Sequence, residues 1–152
     1  MFVALKKTAC LALLSTSILT TAYASAYSKE VGTLTVNLEG VKNGGGPLYV
    51  SVQTRADFKQ DRYTSGGVYQ NVQGGNLSYV YKGVPVGEYG VMIWHDMDNN
   101  GQFTKDEKTY MPRGGWGASG NELRGEPKFD DVKITHGRSG TVLTIKMHYP
   151  NQ

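Results

Sequence analysis

The stretch Leu34–Gln53, LTVNLEGVKNGGGPLYVSVQ, decides the fold. Leu34, Val36 and Leu38 alternate with Thr35 and Asn37, and Leu48, Val50 and Val52 alternate with Tyr49, Ser51 and Gln53. A period of two belongs to an extended chain, whose successive side chains point to opposite faces, so each half reads as a strand with one face on a core. Between them Lys42-Asn43-Gly44-Gly45-Gly46-Pro47 reads as a hairpin connection, with glycine supplying the positive φ of a tight reversal.

The same pattern continues outward. Val68–Val72 and Leu77–Tyr81 flank a Gly74-Gly75 turn, Tyr89–His95 and Lys128–Ile134 follow, and Thr141–Tyr149 closes the chain with Leu143, Ile145, Met147 and Tyr149 on one face. Seven short strands separated by turn signals predict an all-β, antiparallel sandwich. Only Arg55–Asp61 offers a helical turn, and it reads equally as a loop. The segment Asp96–Pro127 has no strand pattern, and a connection that long in a small domain is usually functional or disordered.

Residues 1–24 read as a secretory signal: Lys6 and Lys7, an apolar run from Ala9 to about Leu19, and Ala22-Tyr23-Ala24 as a small-x-small cleavage site. The run is too short for a membrane span of about 20 apolar residues, and Ser15, Thr16 and Ser17 interrupt it. The expected mature chain, 25–152, is one sandwich domain in the periplasm or outside the cell, with no membrane insertion. Cys10, the single cysteine, leaves with the signal, so the domain has no disulfide and relies on packing or a metal for rigidity. Lys6 and Lys7 also carry two of the three net positive charges. No basic run remains to serve nucleic acid or an anionic membrane.

The long segment opens with Asp96-Met97-Asp98-Asn99-Asn100-Gly101-Gln102-Phe103-Thr104-Lys105-Asp106-Glu107, which satisfies D-x-[DN]-x-[DN]-G-x5-E throughout. Calcium is a hard cation that takes six to eight oxygens, and alternate residues of a tightly wound loop can aim theirs at one centre. Asp96, Asp98 and Asn100 offer side chains, Gln102 its carbonyl, Thr104 a hydroxyl or a water, and Glu107 two oxygens. Asp, Asn and Gly are also what a metal-free turn prefers. The preceding Val91-Met92-Ile93-Trp94 is strand-like, so this is an EF-type loop on a β scaffold, without the helix pair that opens in a sensor. Extracellular sites of this type bind at about 10⁻⁴–10⁻³ M, which suits a structural ion.

Further along, Trp116 stands among glycines as a possible stacking platform, with Arg113, Asn121 and Glu122 as polar neighbours for a small ligand or sugar; the alternative is that Trp116 folds back over a sheet edge. Gly115–Gly120 matches G-x-G-x-x-G without the βαβ setting that motif needs. Ser119 lacks the second glycine of a nucleophile elbow, Asn121 standing in its place. His95 abuts the first carboxylate, either as an anchor between strand and loop or as a base beside a metal-bound water. Met92 and Met147 lie in strands and read as core filler rather than soft-metal ligands, and Asp130 and Asp131 form an acidic pair within possible reach of the loop.

Several short elements occur in one order: Gly32-Thr33-Leu34-Thr35-Val36, Val84-Pro85-Val86-Gly87-Glu88-Tyr89-Gly90-Val91, His95-Asp96 with Asn100-Gly101, Met111-Pro112, Gly115–Ser119, and Pro127–Asp131. Together they resemble the exported bacterial family of domain of unknown function 2141, over nearly the whole of 25–152. The chain departs from that family at Thr104, where an acidic residue is usual, and in a slightly shorter link to the proline. Pro85-x-Gly87-x-Tyr89 also resembles the turn and strand of prealbumin-like sandwiches, which implies an immunoglobulin-like or prealbumin-like fold. The family implies no activity. The resulting expectation is a non-enzymatic, calcium-stabilised module that binds a small ligand, glycan or envelope protein through its long loop. The alternatives are a metal-dependent hydrolase using His95 with the acidic loop, or a purely structural envelope protein.

Overall fold

In a computed structural model that describes residues 29–58, 60, 62–108, 112–120 and 126–150, the two halves of Leu34–Gln53 fall in different sheets. One sheet runs β4 (Gly75–Pro85), β1 (Val31–Val41), β8 (Thr141–Lys146); the other runs β3 (Ser65–Tyr69), β2 (Leu48–Gln53), β5 (Gly87–His95), β6 (Gly115–Ala118). β7 (Lys133–His136) also pairs with β5, along Gly87–Gly90, while β6 pairs along Met92–His95. The pairings are antiparallel except β1 with β8, which is parallel.

The core lies between the sheets. Leu34, Val36 and Leu38 of β1 and Ile145 of β8 oppose Leu48, Val50 and Val52 of β2 with Val91 and Ile93 of β5, all at most 3% exposed. The alternation in β1, β2, β5 and β8 is thus a core face, and the protein is an all-β sandwich of two sheets. Tyr89 is buried at the base of β5 and donates its hydroxyl to the carbonyl of Pro85 at 2.8 Å, which lets a large ring enter the core without an orphaned polar atom. None of the described helices is long and apolar enough to cross a membrane.

Five expectations need correction. Lys42–Pro47 is not a hairpin connection, because β1 and β2 lie in different sheets and the segment crosses between them, and the sandwich is not wholly antiparallel, because β1 and β8 run parallel. The described strands number eight rather than seven, because Gly115–Ala118 forms β6 inside the segment read as loop. Its glycines hid it, and packing explains them: a Cβ on Gly115 would lie 2.2 Å from the Tyr149 ring, and one on Gly117 2.8 Å from Ile145 Cγ2. The expected strand Lys128–Ile134 is a single helical turn, α1 (Phe129–Val132), followed by β7. Phe129 and Val132, three apart, are both buried, and the Asp131 carboxylate accepts the Lys128 N–H at the turn's start. The strand expected at Val68–Val72 lies at Ser65–Tyr69 and has ended before Asn71, which takes a left-handed φ of 53°. Residues 55–58 and 60 are turn, and Asp61 lies outside the described residues.

Ser119 ties these pieces together. It lies between the stretches of β5 paired to β6 and to β7 and is 2% exposed. Its main-chain N–H donates to Val91 O at 2.8 Å, its Oγ accepts the Val91 N–H at 2.8 Å, and its hydroxyl donates to Val132 O at the end of α1.

Candidate metal loop and aromatic row

β5 carries its in-and-out alternation straight into the acidic loop, with Ile93 and His95 inward and Trp94 outward. Asp96, the first loop residue, is only 1% exposed. Its carboxylate accepts the N–H of Gly101 at 2.8 Å and that of Asn100 at 3.3 Å. Its carbonyl accepts Asn99 N–H at 3.3 Å and, from the glycine-rich crossover between the sheets, Gly46 N–H at 2.6 Å, while its own N–H donates to Pro47 O at 3.0 Å. Reversing the chain this sharply needs left-handed backbone at Asn99 (φ 53°) and Gly101 (φ 70°), residue types that tolerate it. Asn100 accepts Gln102 N–H through Oδ1 at 2.7 Å and donates Nδ2–H to Asp98 Oδ2 at 2.8 Å.

The second half is held differently. Thr104 O accepts Arg113 N–H at 2.9 Å, Lys105 forms a bridge with Pro112, and Lys105 Nζ pairs with Glu126 at 3.6 Å. Asp98, Asn100, Gln102 and Glu107 are exposed, and Thr104 is half-buried. Among the described residues no three His, Cys, Asp or Glu side chains gather as a metal cluster, so Asp96, Asp98 and Glu107 do not converge. The donor set, all oxygens, suits a hard cation in its chemistry, and the turn around Asp96 is wound. Asp130 and Asp131 do not serve the loop: Asp130 pairs with Arg55 and Lys133, whose cations hold its carboxyl at about 2, and Asp131 caps α1.

His95 is fully buried behind the loop. Its Nδ1 shares a hydrogen bond with Tyr149 Oη at 2.9 Å, and Tyr149 Oη accepts the Lys42 N–H at 2.9 Å, which links β5, the crossover after β1 and the segment after β8. Nε2 has no hydrogen-bond partner. Burial pushes the imidazole below its ordinary pKa, against the opposing pull of the Gly44 and Gly46 main chain and the Asp96 charge.

Of the residues expected around Trp116, Asn121 lies outside the described residues, with Glu122, and Arg113 is exposed, joined to the loop through its main chain. Trp116 is a strand residue, half-buried on the outer face of its sheet. Its backbone exchanges two 2.8 Å hydrogen bonds with His148, and the two rings stack with centroids 4.7 Å apart. In register beside it stand Trp94 and then Tyr49, whose rings stack at 4.5 Å and 17°. Phe103, from the acidic loop, meets Trp94 edge to face at 5.6 Å. This row, Tyr49–Trp94–Trp116–His148, went unrecognised in the sequence. Alternation places Tyr49 and Trp94 outward, but only strand order makes them neighbours.

Compared with known proteins, residues 36–144 match the model of a family described as an uncharacterized protein conserved in bacteria, DUF2141. The chain belongs to this family. The DUF2141 match runs from within β1 to within β8 and takes in the acidic loop and β6, but not His148 or Tyr149. No curated protein and no solved structure matches the chain.

Proposed function

We propose that this DUF2141 protein is an exported module, periplasmic or secreted, whose sandwich is stabilised by calcium in the loop Asp96–Glu107 and which binds its ligand without chemistry. The observation that carries the reading is the wound turn at Asp96: the first half of a full consensus is held on a buried carboxylate and hydrogen-bonded to Gly46 and Pro47 in the neighbouring crossover. Glu107 completes the oxygen set when the ion is bound, and the ion supplies only a fixed positive centre. The ligand face is the aromatic row beside the loop, suited to a small molecule, a glycan or an envelope protein. The immunoglobulin-like or prealbumin-like assignment belongs to the same reading, and the Tyr89–Pro85 corner supports it.

Calorimetric titration with calcium, paired with a thermal melt, tests the proposal. Heat of binding and a higher melting temperature at millimolar calcium are expected, both lost in Asp98→Ala. Neither heat nor a melting shift at that concentration removes calcium from the account.

A further inference from the structure

Among the described residues β4 stands at the edge of its sheet, hydrogen-bonded to β1 on one side. The opposite sheet reaches it through Tyr69 of β3, whose ring lies 4.0 Å from that of Tyr79 and whose hydroxyl is 3.0 Å from that of Tyr81. Between the left-handed glycines Gly75 (φ 105°) and Gly83 (φ 70°) the stretch Asn76–Lys82 is regular, with Leu77–Tyr81 pairing residue for residue with Leu38–Leu34. Such an edge presents a row of main-chain N–H and C=O groups to any further strand, and proteins ordinarily blunt it with shortness, a bulge, proline or charge. β3 is short, at five residues, and the chain beyond β8 crosses to bridge His148 with Trp116. β4 has eleven residues, and its one charge, Lys82, lies at the end of the regular stretch.

The core is also open along this edge. Leu34, Val36 and Leu38 of β1 are fully buried, whereas Leu77, Tyr79 and Tyr81, which pack on the same core from β4, are half-buried. On the other face of β4, Val80 is 55% exposed. An added strand satisfies the main-chain row and covers these flanks together. β4 itself fits that place. Paired antiparallel about a two-fold axis at Tyr79, the stretch Asn76–Lys82 of one copy runs along the same stretch of the other, so that Tyr79 faces Tyr79, Leu77 faces Tyr81 and Ser78 faces Val80. Each Lys82 falls opposite Asn76, and at about 3.4 Å per residue the two lysines stand roughly 20 Å apart, so no like charges meet.

We propose that β4 is a self-association edge, through which two copies of this chain join their three-stranded sheets into one continuous sheet. The proposal is independent of the calcium reading above. Its contact is one strand pair with the flanking side chains, far smaller than an obligate interface, so the dimer forms in a concentration-dependent way. Sedimentation velocity in chelator, from about 10 µM to about 1 mM protein, should show the mass moving from one chain toward two. Amide exchange of residues 76–82 should slow over the same range. Val80→Lys sets like charges diagonally across the strand pair and should hold the protein monomeric, with the melting temperature of the dilute protein unchanged. Val142→Lys makes the same change at a 71% exposed site on β8, away from this edge, and should dimerise like the wild type. A wild-type protein that stays monomeric over the whole range overturns the proposal, and that measurement decides even if Val80→Lys folds poorly. A dimer that survives in a folded Val80→Lys, or is lost in Val142→Lys, overturns it as well.

Discussion

Asp96 and Asp98 separate a metal-free turn from a calcium site. In Asp96→Asn the side chain keeps its shape but presents one carbonyl oxygen and one NH₂ where two carboxylate oxygens now accept Gly101 N–H at 2.8 Å and Asn100 N–H at 3.3 Å. One main-chain donor loses its acceptor and faces another donor. An unsatisfied buried donor costs about 1–3 kcal/mol, and because Asn100 and Gly101 are themselves exposed the lower part, about 1–2 kcal/mol, applies. For a domain of this size that is a fall of roughly 3–10 °C in melting temperature, expected in chelator with no metal present. Asp98 is exposed, so Asp98→Asn should melt within about 0.5 kcal/mol of the wild type in chelator. In 10 mM calcium a site of about 10⁻⁴–10⁻³ M adds about 1.4–2.7 kcal/mol, and both variants should lose most of that increment. Differential scanning calorimetry of the three proteins, with and without calcium, reads both effects. If Asp98→Asn keeps the wild-type increment, calcium acts elsewhere; if Asp96→Asn melts with the wild type in chelator, the wound turn contributes nothing to the fold.

Three further outcomes follow from the packing. Ser119→Ala strands the Val91 N–H and the Val132 carbonyl at the junction of β6, β7 and α1, and should lower stability by about 1–3 kcal/mol in a denaturant titration with unchanged slope. Gly117→Ala places a methyl 2.8 Å from Ile145 Cγ2 and 3.1 Å from Met147 Sδ; overpacking at about 1–3 kcal/mol should appear in the same titration, and a neutral result would show that β6 can move off the core. His95 is neutral and buried, its pKa lowered first by desolvation, so the unfolded chain takes up its proton at higher pH than the folded one. Its contribution is complete above about pH 6.5 and is lost as the pH falls toward the lowered folded value; melts in chelator should show that slope, and His95→Gln should flatten it.

The two-sheet architecture was legible because β1, β2, β5 and β8 bury one face and alternate cleanly. β6 was not, because the evidence for a strand is normally its side chains, and here the inward positions are glycine so that Tyr149, Ile145 and Met147 can approach. The turn at Phe129–Val132 escaped for a related reason: two apolar residues three apart also fit a short strand until their burial is known. The acidic loop could be read residue by residue, since its ligands are contiguous. The aromatic row could not, since Tyr49, Trp94, Trp116 and His148 come from four places and meet only through register. Trp116 was singled out for its glycine surroundings, and those same glycines place it in a strand.

The loop's first half is held to residues 46–47 by main-chain contacts. Gly46 donates to Asp96 O, and a Cβ on Gly46 would lie 2.6 Å from both that oxygen and Asn99 Oδ1, so crossover and turn fit only as a unit. His95 anchors the same unit from below through Tyr149 and the Lys42 N–H. The second half leans instead on Pro112 and Arg113, just before β6, and on Trp94 through Phe103. On the calcium reading proposed above, an ion joining the two halves through Glu107 would couple residues 42–47 to the strand that carries Trp116. Its stabilising effect should be concentrated at β6 and the adjoining end of β5, leaving the β4–β1–β8 sheet nearly untouched. Amide hydrogen exchange with and without calcium measures that distribution, and protection spread evenly over both sheets would refute it.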